Sequence, residues 1–314
     1  MDVLVIGAGV IGLTTATTLT EAGHSVRVQA AEPPDLTTSA AAGALWGPWL
    51  VEPHDRVYAW AAHTLHVLTE LADTPGTGVR LASGKDVSMA KHEPPDWFRL
   101  LPNLRSCTED ELPPGYRHGV HYTAPLIDMP THLAYLMKRL QAVSVEIEVA
   151  AVESLQDASS MAPVVVNCTG LGARKLAGDD QLFPIRGQQL VVSNPGLTEF
   201  LEVDTGDSPD LIAIYPHGDH VVLGGTAEPG SRNREPDLAT AESILARCAA
   251  VQPLLKDAVV LEHRVGLRPT RPEIRLEEEH FVTSKVIHNY GHGGAGVSVA
   301  WGCAATVTEL VSRQ

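Results

Sequence analysis

Hydrophobic residues along this chain recur with two different periods, and the points where the period changes divide it into elements. Val3, Leu4, Val5 and Ile6 form an unbroken apolar run, as in a parallel strand covered on both faces. Val10, Leu13, Ala16, Thr17 and Leu19 follow at helical spacing. Gly23 closes that helix, and Val26, Val28 and Ala30 alternate as a second strand. Val57, Ala61, Leu65 and Leu68 put one apolar stripe on a helix over 54–71, and Leu133, Leu136, Met137 and Leu140 do the same over 131–140. Residues 145–149 and 164–170 read as strands, the second running buried into a turn. A helix over 238–251 follows strands at 183–193 and 211–226, the latter a hairpin turning at His217-Gly218-Asp219. Residues 74–128, rich in Pro and Gly, show only short strand-like pieces at 79–83 and 119–122.

The first apolar run ends in Gly7-Ala8-Gly9-Val10-Ile11-Gly12, a G-x-G-x-x-G spacing placed between strand and helix. That context predicts a dinucleotide site: a tight turn at Gly7, close approach of a pyrophosphate at Gly9 and close helix packing at Gly12, with the helix N-terminus facing the anion. The acid that often holds the ribose at the end of the second strand is missing from its usual place. Glu32 is the nearest acid and the candidate. Small and hydroxylic residues over 36–49 let a backbone pass close to a flat ligand. Near the other end, 265–275 sets Arg268, Arg271 and Arg275 among prolines, which predicts a rigid extended segment. A second strand–glycine turn–helix follows, with Gly291-His292-Gly293-Gly294-Ala295-Gly296 ahead of a helix over 297–310.

Composition narrows the partners. The 314 residues are 44% hydrophobic and 19% charged, with a formal charge of −15, which speaks against nucleic acid or an anionic membrane surface. The apolar start lacks a basic n-region and does not read as a signal sequence, and no apolar run reaches membrane-spanning length. The last three residues do not match a peroxisomal address. Cys107, Cys168, Cys248 and Cys303 are scattered, which predicts reduced thiols in a cytoplasmic protein. His217, Asp219 and His220 read as a polar hairpin tip, and no metal site is expected.

Taken together, the chain resembles the FAD-dependent D-amino acid oxidase family, which includes D-aspartate oxidase. The resemblance rests on 7–12, Thr37-Thr38-Ser39 with Ala42-Gly43 and Leu45-Trp46, Val152-Glu153-Ser154, Asn167-Cys168-Thr169-Gly170, Arg186-Gly187-Gln188, Leu223-Gly224-Gly225-Thr226, Gly266-Leu267-Arg268-Pro269 and 289–294. It implies an α/β fold: a Rossmann-like FAD-binding domain, discontinuous over 1–53, 130–182 and 266–314, and an α+β substrate domain on a twisted mixed sheet over 54–129 and 183–265. It also implies that Ala8, Gly9, Val10 and Ile11 contact the FAD pyrophosphate, that Thr37, Thr38, Ser39, Ala42 and Gly43 line pyrophosphate and flavin, and that Val152 lies by the adenine. Gly293, Gly294 and Ser298 fall at the isoalloxazine and ribityl chain.

By the same resemblance, Arg268 pairs with the substrate carboxylate and the Gly294 carbonyl accepts from the substrate amine. The implied reaction is oxidative deamination of D-amino acids with neutral or basic side chains, with dioxygen as acceptor, to 2-oxo acids, ammonia and hydrogen peroxide. A homodimer is compatible with it. D-aspartate oxidation, a glycine- or sarcosine-type amine oxidation and a non-catalytic flavin-binding role are the alternatives. The chain departs from the family at two tyrosines: Ala213 stands where one binds the substrate carboxylate, and the lid tyrosine falls near Pro209. Tyr215, two residues on and so on the same strand face, is the candidate replacement.

Overall fold

The computed structural model describes residues 1–91, 93–206, 208–281 and 284–313. Its N-terminal βαβ unit is β1 (Asp2–Ile6), α1 (Val10–Glu21) and β2 (Ser25–Ala30). After a 3-10 turn at Thr38–Ala41 come α2 (His54–Ala72), β3 (Val79–Ser88), the short β4 (Arg105–Ser106) and β5 (His118–Ile127). Next are α3 (Met129–Ala142), β6 (Ile147–Val149), α4 (Leu155–Met161), β7 (Val164–Asn167) and α5 (Ala173–Leu176). The chain then forms β8 (Phe183–Ser193), β9 (Phe200–Val203), β10 (Asp210–His217), β11 (His220–Thr226), β12 (Glu228–Pro229) and α6 (Leu238–Val251). It ends with β13 (Val260–His280), β14 (Lys285–His292) and α7 (Gly296–Ser312).

All the strands join one mixed sheet in the order β4-β5-β3-β9-β10-β11-β8-β13-β14-β7-β1-β2-β6, with β12 on β8. The run β14-β7-β1-β2-β6 is wholly parallel, and from β13 to β4 the pairing is antiparallel except for β9 beside β3. Both faces of β1 are covered, which explains its unbroken apolar run. Val3 and Val5 face a core shared with Leu13 of α1 and Val299 of α7, while Leu4 and Ile6 pack with Leu155 and Ala158 of α4.

β13 welds the two halves. From Val260 to Thr270 it pairs with β8, and from Thr270 to His280 with β14. The rigid extended segment expected at 265–275 is therefore a central strand; Pro269 pairs in register with Pro184 of β8, and the register shift against β14 between Thr270 and Arg275 accommodates Pro272. The strands at 79–88 and 118–127 are longer than expected because Gly84 is not a breaker. A Cβ there would lie 2.3 Å from the Phe200 carbonyl, so the glycine is what allows β3 and β9 to pair closely.

Side-chain alternation splits the antiparallel part into two faces. Leu190, Leu201, Ile214 and Leu223 pack beneath Ala241, Ile244 and Cys248 of α6. Their neighbours Gln189, Glu202, Ala213, Tyr215 and Gly224 point to the opposite face, toward the 37–49 segment. The hairpin tip expected at 217–220 is present: His217 pairs with His220, whose Nδ1 bonds Asp219 at 2.8 Å. Among the described residues no cluster of three or more potential metal ligands occurs.

Candidate active site

The N-terminal turn is built by contacts that only glycine permits. Gly7 has φ +116°, and a Cβ there would lie 2.4 Å from the Cys168 carbonyl at the end of β7. A Cβ on Gly12 would lie 1.9 Å from the Gly7 carbonyl, so the third glycine seats α1 on the turn. The first α-helical bond at this end runs from Leu13 N–H to the Gly9 carbonyl (2.9 Å), so the N–H groups before it have no partner within the helix. Val10 N–H donates to Ser39 Oγ (3.0 Å), and a Cβ on Gly9 would meet the same oxygen at 3.0 Å. Ala8 is buried and Ile11 half-buried beside it. The 37–43 segment is thus docked on the first turn, and Thr38 Oγ1 ties it to β13 by donating to the Leu267 carbonyl (3.1 Å).

Around that cradle, Thr37 Oγ1 donates to the Pro34 carbonyl at 2.7 Å. The Glu32 carboxylate pairs with Arg234 Nη1 at 2.6 Å, while Nη2 of that arginine donates to the Leu36 carbonyl. Val152 packs half-buried beside Leu4, Ile6 and Leu155. Ala42 packs on the main core, and a Cβ on Gly43 would come within 2.9 Å of the Tyr215 ring and 3.0 Å of Gln189 Nε2.

The second glycine turn is braced on β13. Gly291 and Gly293 both have positive φ, and Gly293 N–H donates to the Pro269 carbonyl (2.9 Å), one residue from Arg268. Ser298, in the first turn of α7, accepts from Gly47 N–H (3.0 Å) and donates to the Gly47 carbonyl (3.1 Å), fixing the Trp46–Trp49 loop. Trp46 Nε1, Gln189 Oε1 and His292 Nε2 are buried without a partner among the described residues, and burial lowers the His292 pKa to about 3. Small residues that admit a close backbone approach, N–H groups without a helix partner and unspent polar atoms together suit an extended dinucleotide.

Arg268 lies where the two halves of the sheet meet. Its guanidinium rests across Gly187, where a Cβ would be 2.5 Å from Nη1 and 2.7 Å from Cζ and Nη2. Nη1 donates to the Thr226 carbonyl (3.0 Å), and Gly294 stands against the side-chain stem. Burial lowers the guanidinium pKa, with the Tyr215 hydroxyl acting in the opposite sense. Among the described residues no carboxylate forms an ion pair with it. Arg186 and Arg271, by contrast, pair with Glu228 and Asp179. A desolvated cation without an anion is costly, and it is a ready receptor for a carboxylate.

The Tyr215 hydroxyl is taken up by an acid of β9. That hydroxyl donates to Glu202 Oε1, and Tyr122 Oη donates to Glu202 Oε2 at 3.3 Å. Ala213 brings only a methyl group, packed against Gly224, and the Pro209 carbonyl accepts from Ala227 N–H (2.8 Å). Glu202 and its neighbour Asp86 escaped the sequence reading. Their one signal is an acid within apolar strands, Phe200-Leu201-Glu202-Val203 and Gly84-Lys85-Asp86-Val87.

Comparison with known proteins settles the lineage. A family model described as FAD dependent oxidoreductase matches residues 2–310. The chain belongs to this family. Its cofactor is therefore FAD, and the two glycine turns are the chain's own features that fit it. A D-amino-acid oxidase of Rubrobacter xylanophilus is 48% identical over 309 residues, covering 98% of this chain and 94% of that one. A D-amino-acid oxidase of Streptomyces coelicolor is 46% identical over 314 residues, covering 99% and 97%. Human D-aspartate oxidase is 36% identical over 326 residues, covering 99% and 94%. Among solved structures, glycine oxidase from Geobacillus kaustophilus superposes with a TM-score of 0.83 at 20% identity over 100% of this chain and 95% of that one, a likeness of fold. Among the described residues no helix is long and apolar enough to cross a membrane.

Proposed function

We propose that this chain is a D-amino acid oxidase that converts D-amino acids to 2-oxo acids and ammonia, with dioxygen as electron acceptor and hydrogen peroxide as product. The observation that carries the reading is Arg268: a desolvated guanidinium, laid across Gly187 and beside Gly294, with no ion-pair partner among the described residues. It anchors the α-carboxylate as a charge-assisted pair. The Gly294 carbonyl accepts from the α-amine, and these two contacts orient the Cα–H. The 8–11 turn, with Thr37, Thr38 and Ser39, holds the FAD pyrophosphate. Glu32 and Val152 lie at the adenosine end, and Ala42, Gly43, Gly293, Gly294 and Ser298 at the flavin end. FAD, when bound, supplies the two-electron oxidation, and the chain supplies position and field. This assigns 1–53, 130–182 and 266–314 to the cofactor and 54–129 and 183–265 to the substrate.

The identity to two D-amino-acid oxidases supports the reading, as does the pairing of Arg186 and Arg271, which leaves neither for a second substrate carboxylate. Four unpaired cysteines, three of them buried, fit a cytoplasmic setting. The test is Arg268→Ala in a peroxide-coupled assay with D-methionine. Turnover is expected to fall by at least about 10²-fold with FAD retained, and unchanged turnover refutes the assigned anchor.

A further inference from the structure

We propose that Glu202 and Asp86 form a cation-recognition site at the far end of the substrate pocket, so that the preferred substrates are D-amino acids with ammonium or guanidinium side chains, such as D-lysine and D-arginine. This rests on Arg268 being the carboxylate anchor.

The sheet register places both acids on the same face as that anchor. Asp86 is paired with Glu202, Glu202 with Ala213, Ala213 with Gly224 and Gly224 with Gln189. Gln189 shares a face with Gly187, over which the Arg268 guanidinium lies. That guanidinium reaches the Thr226 carbonyl on β11, and β9 is two strands further, about 10 Å. Side chains enter this gap from both ends. An extended lysine or arginine, held by its α-carboxylate, spans what remains.

Among the described residues neither acid pairs with a cation. The Asp86 side chain is 9% exposed, has neither hydrogen bond nor ion pair among the described residues, and borders a cavity of about 340 Å³ with Trp49 and Phe98, whose lining reaches neither Glu202 nor Arg268. Lys91 and Arg117 also line that cavity but pair with neither acid. Burial raises the Asp86 pKa to about 8, helped by Glu202 and Asp204, and burial raises that of Glu202 against the two tyrosine bonds. A ligand cation relieves this cost, which a neutral side chain does not.

The site is also held in place. Tyr122, edge-on to Phe98 at 5.1 Å and tilted against Phe200 at 5.0 Å, and the buried Tyr215 fix the Glu202 carboxylate from both oxygens. Its remaining lone pairs stay free for donors. A ligand cation draws the proton off Asp86 and pairs with the carboxylate, which the second carboxylate of D-aspartate cannot do.

Two measurements on the FAD-loaded protein test this. The first compares kcat/KM for D-arginine and D-lysine with D-methionine. The ratio is expected to exceed one and to fall about 30-fold in Glu202→Gln. The second titrates 5-guanidinopentanoate and hexanoate, which cannot be oxidised at an α-amine, and follows the flavin absorbance. The guanidino acid is expected to bind at least about 10-fold more tightly, and the difference to vanish in Glu202→Gln. Asp86→Asn serves the same comparison should Glu202→Gln not fold. Oxidation of D-methionine with no preference for cationic substrates, equal binding of the two acids, or a preference for D-aspartate overturns this inference and leaves the oxidase reading standing. Absence of turnover with every D-amino acid overturns the oxidase reading and this inference with it.

Discussion

Gly187→Ala separates the positioning of the substrate anchor from the stability of the fold. The added methyl carbon would lie 2.5 Å from Arg268 Nη1 and 2.7 Å from Cζ and Nη2, against 3.4–4 Å for ordinary contact. The guanidinium has to retreat by about 1 Å, and its bond to the Thr226 carbonyl (3.0 Å) stretches or breaks. The atoms displaced are the tip of a flexible side chain, so backbone and core need not adjust. A misplacement of about 1 Å in a catalytic array costs on the order of 10²-fold, or about 2.7 kcal/mol of transition-state stabilisation. The expected result is a yellow, folded protein with nearly unchanged Tm and FAD content, and a kcat/KM for D-methionine reduced about 10²-fold, chiefly through KM. A variant whose kcat/KM stays within about twofold would falsify the placement of the substrate carboxylate on Arg268.

Other substitutions probe the cradle and the buried acids. In Gly12→Ala the methyl carbon would stand 1.9 Å from the Gly7 carbonyl, a backbone atom that cannot step aside. The variant is expected to purify without FAD or to remain insoluble, and normal cofactor content would show that this turn does not hold the pyrophosphate. For pH, the folded Asp86 holds its proton up to about 8, whereas the unfolded chain releases it near 3.8. Between those values the folded state binds the extra proton, so this acid makes stability fall as pH rises from 4 to 8, and Glu202 acts in the same sense. Asp86→Asn is therefore expected to flatten the decline of Tm over that range. An equal slope in both proteins contradicts the burial of an unpaired acid.

What could be read from the chain depended on how local its cause was. The β1–turn–α1 unit announced itself because the glycine spacing between strand and helix is local, with Gly12 answering to Gly7 five residues away. The stripe of α2 and the helix over 238–251 are local in the same way. The length of β13 was hidden by Pro269, which sits in register opposite Pro184 of β8, and by Pro272, which falls in a register shift against β14. Gly84 looked like a breaker because its reason, the Phe200 backbone, lies 116 residues further on. Glu202 and Asp86 were missed for a related cause. They meet only through strand pairing, and a single acid in an apolar strand carries no spacing rule. Tyr215 was picked out for its strand face, but which acceptor its hydroxyl takes depends on β9.

The central claim is that Arg268 and the second glycine turn present a D-amino acid to the bound flavin. Anaerobic mixing of the FAD-loaded protein with D- and L-methionine tests this most directly. Rapid bleaching of the yellow flavin absorbance by the D-enantiomer, none by the L-enantiomer, and recovery of the colour on admitting air is the predicted result. A flavin that stays oxidised with every D-amino acid, or one reduced equally by the L-enantiomers, contradicts the account.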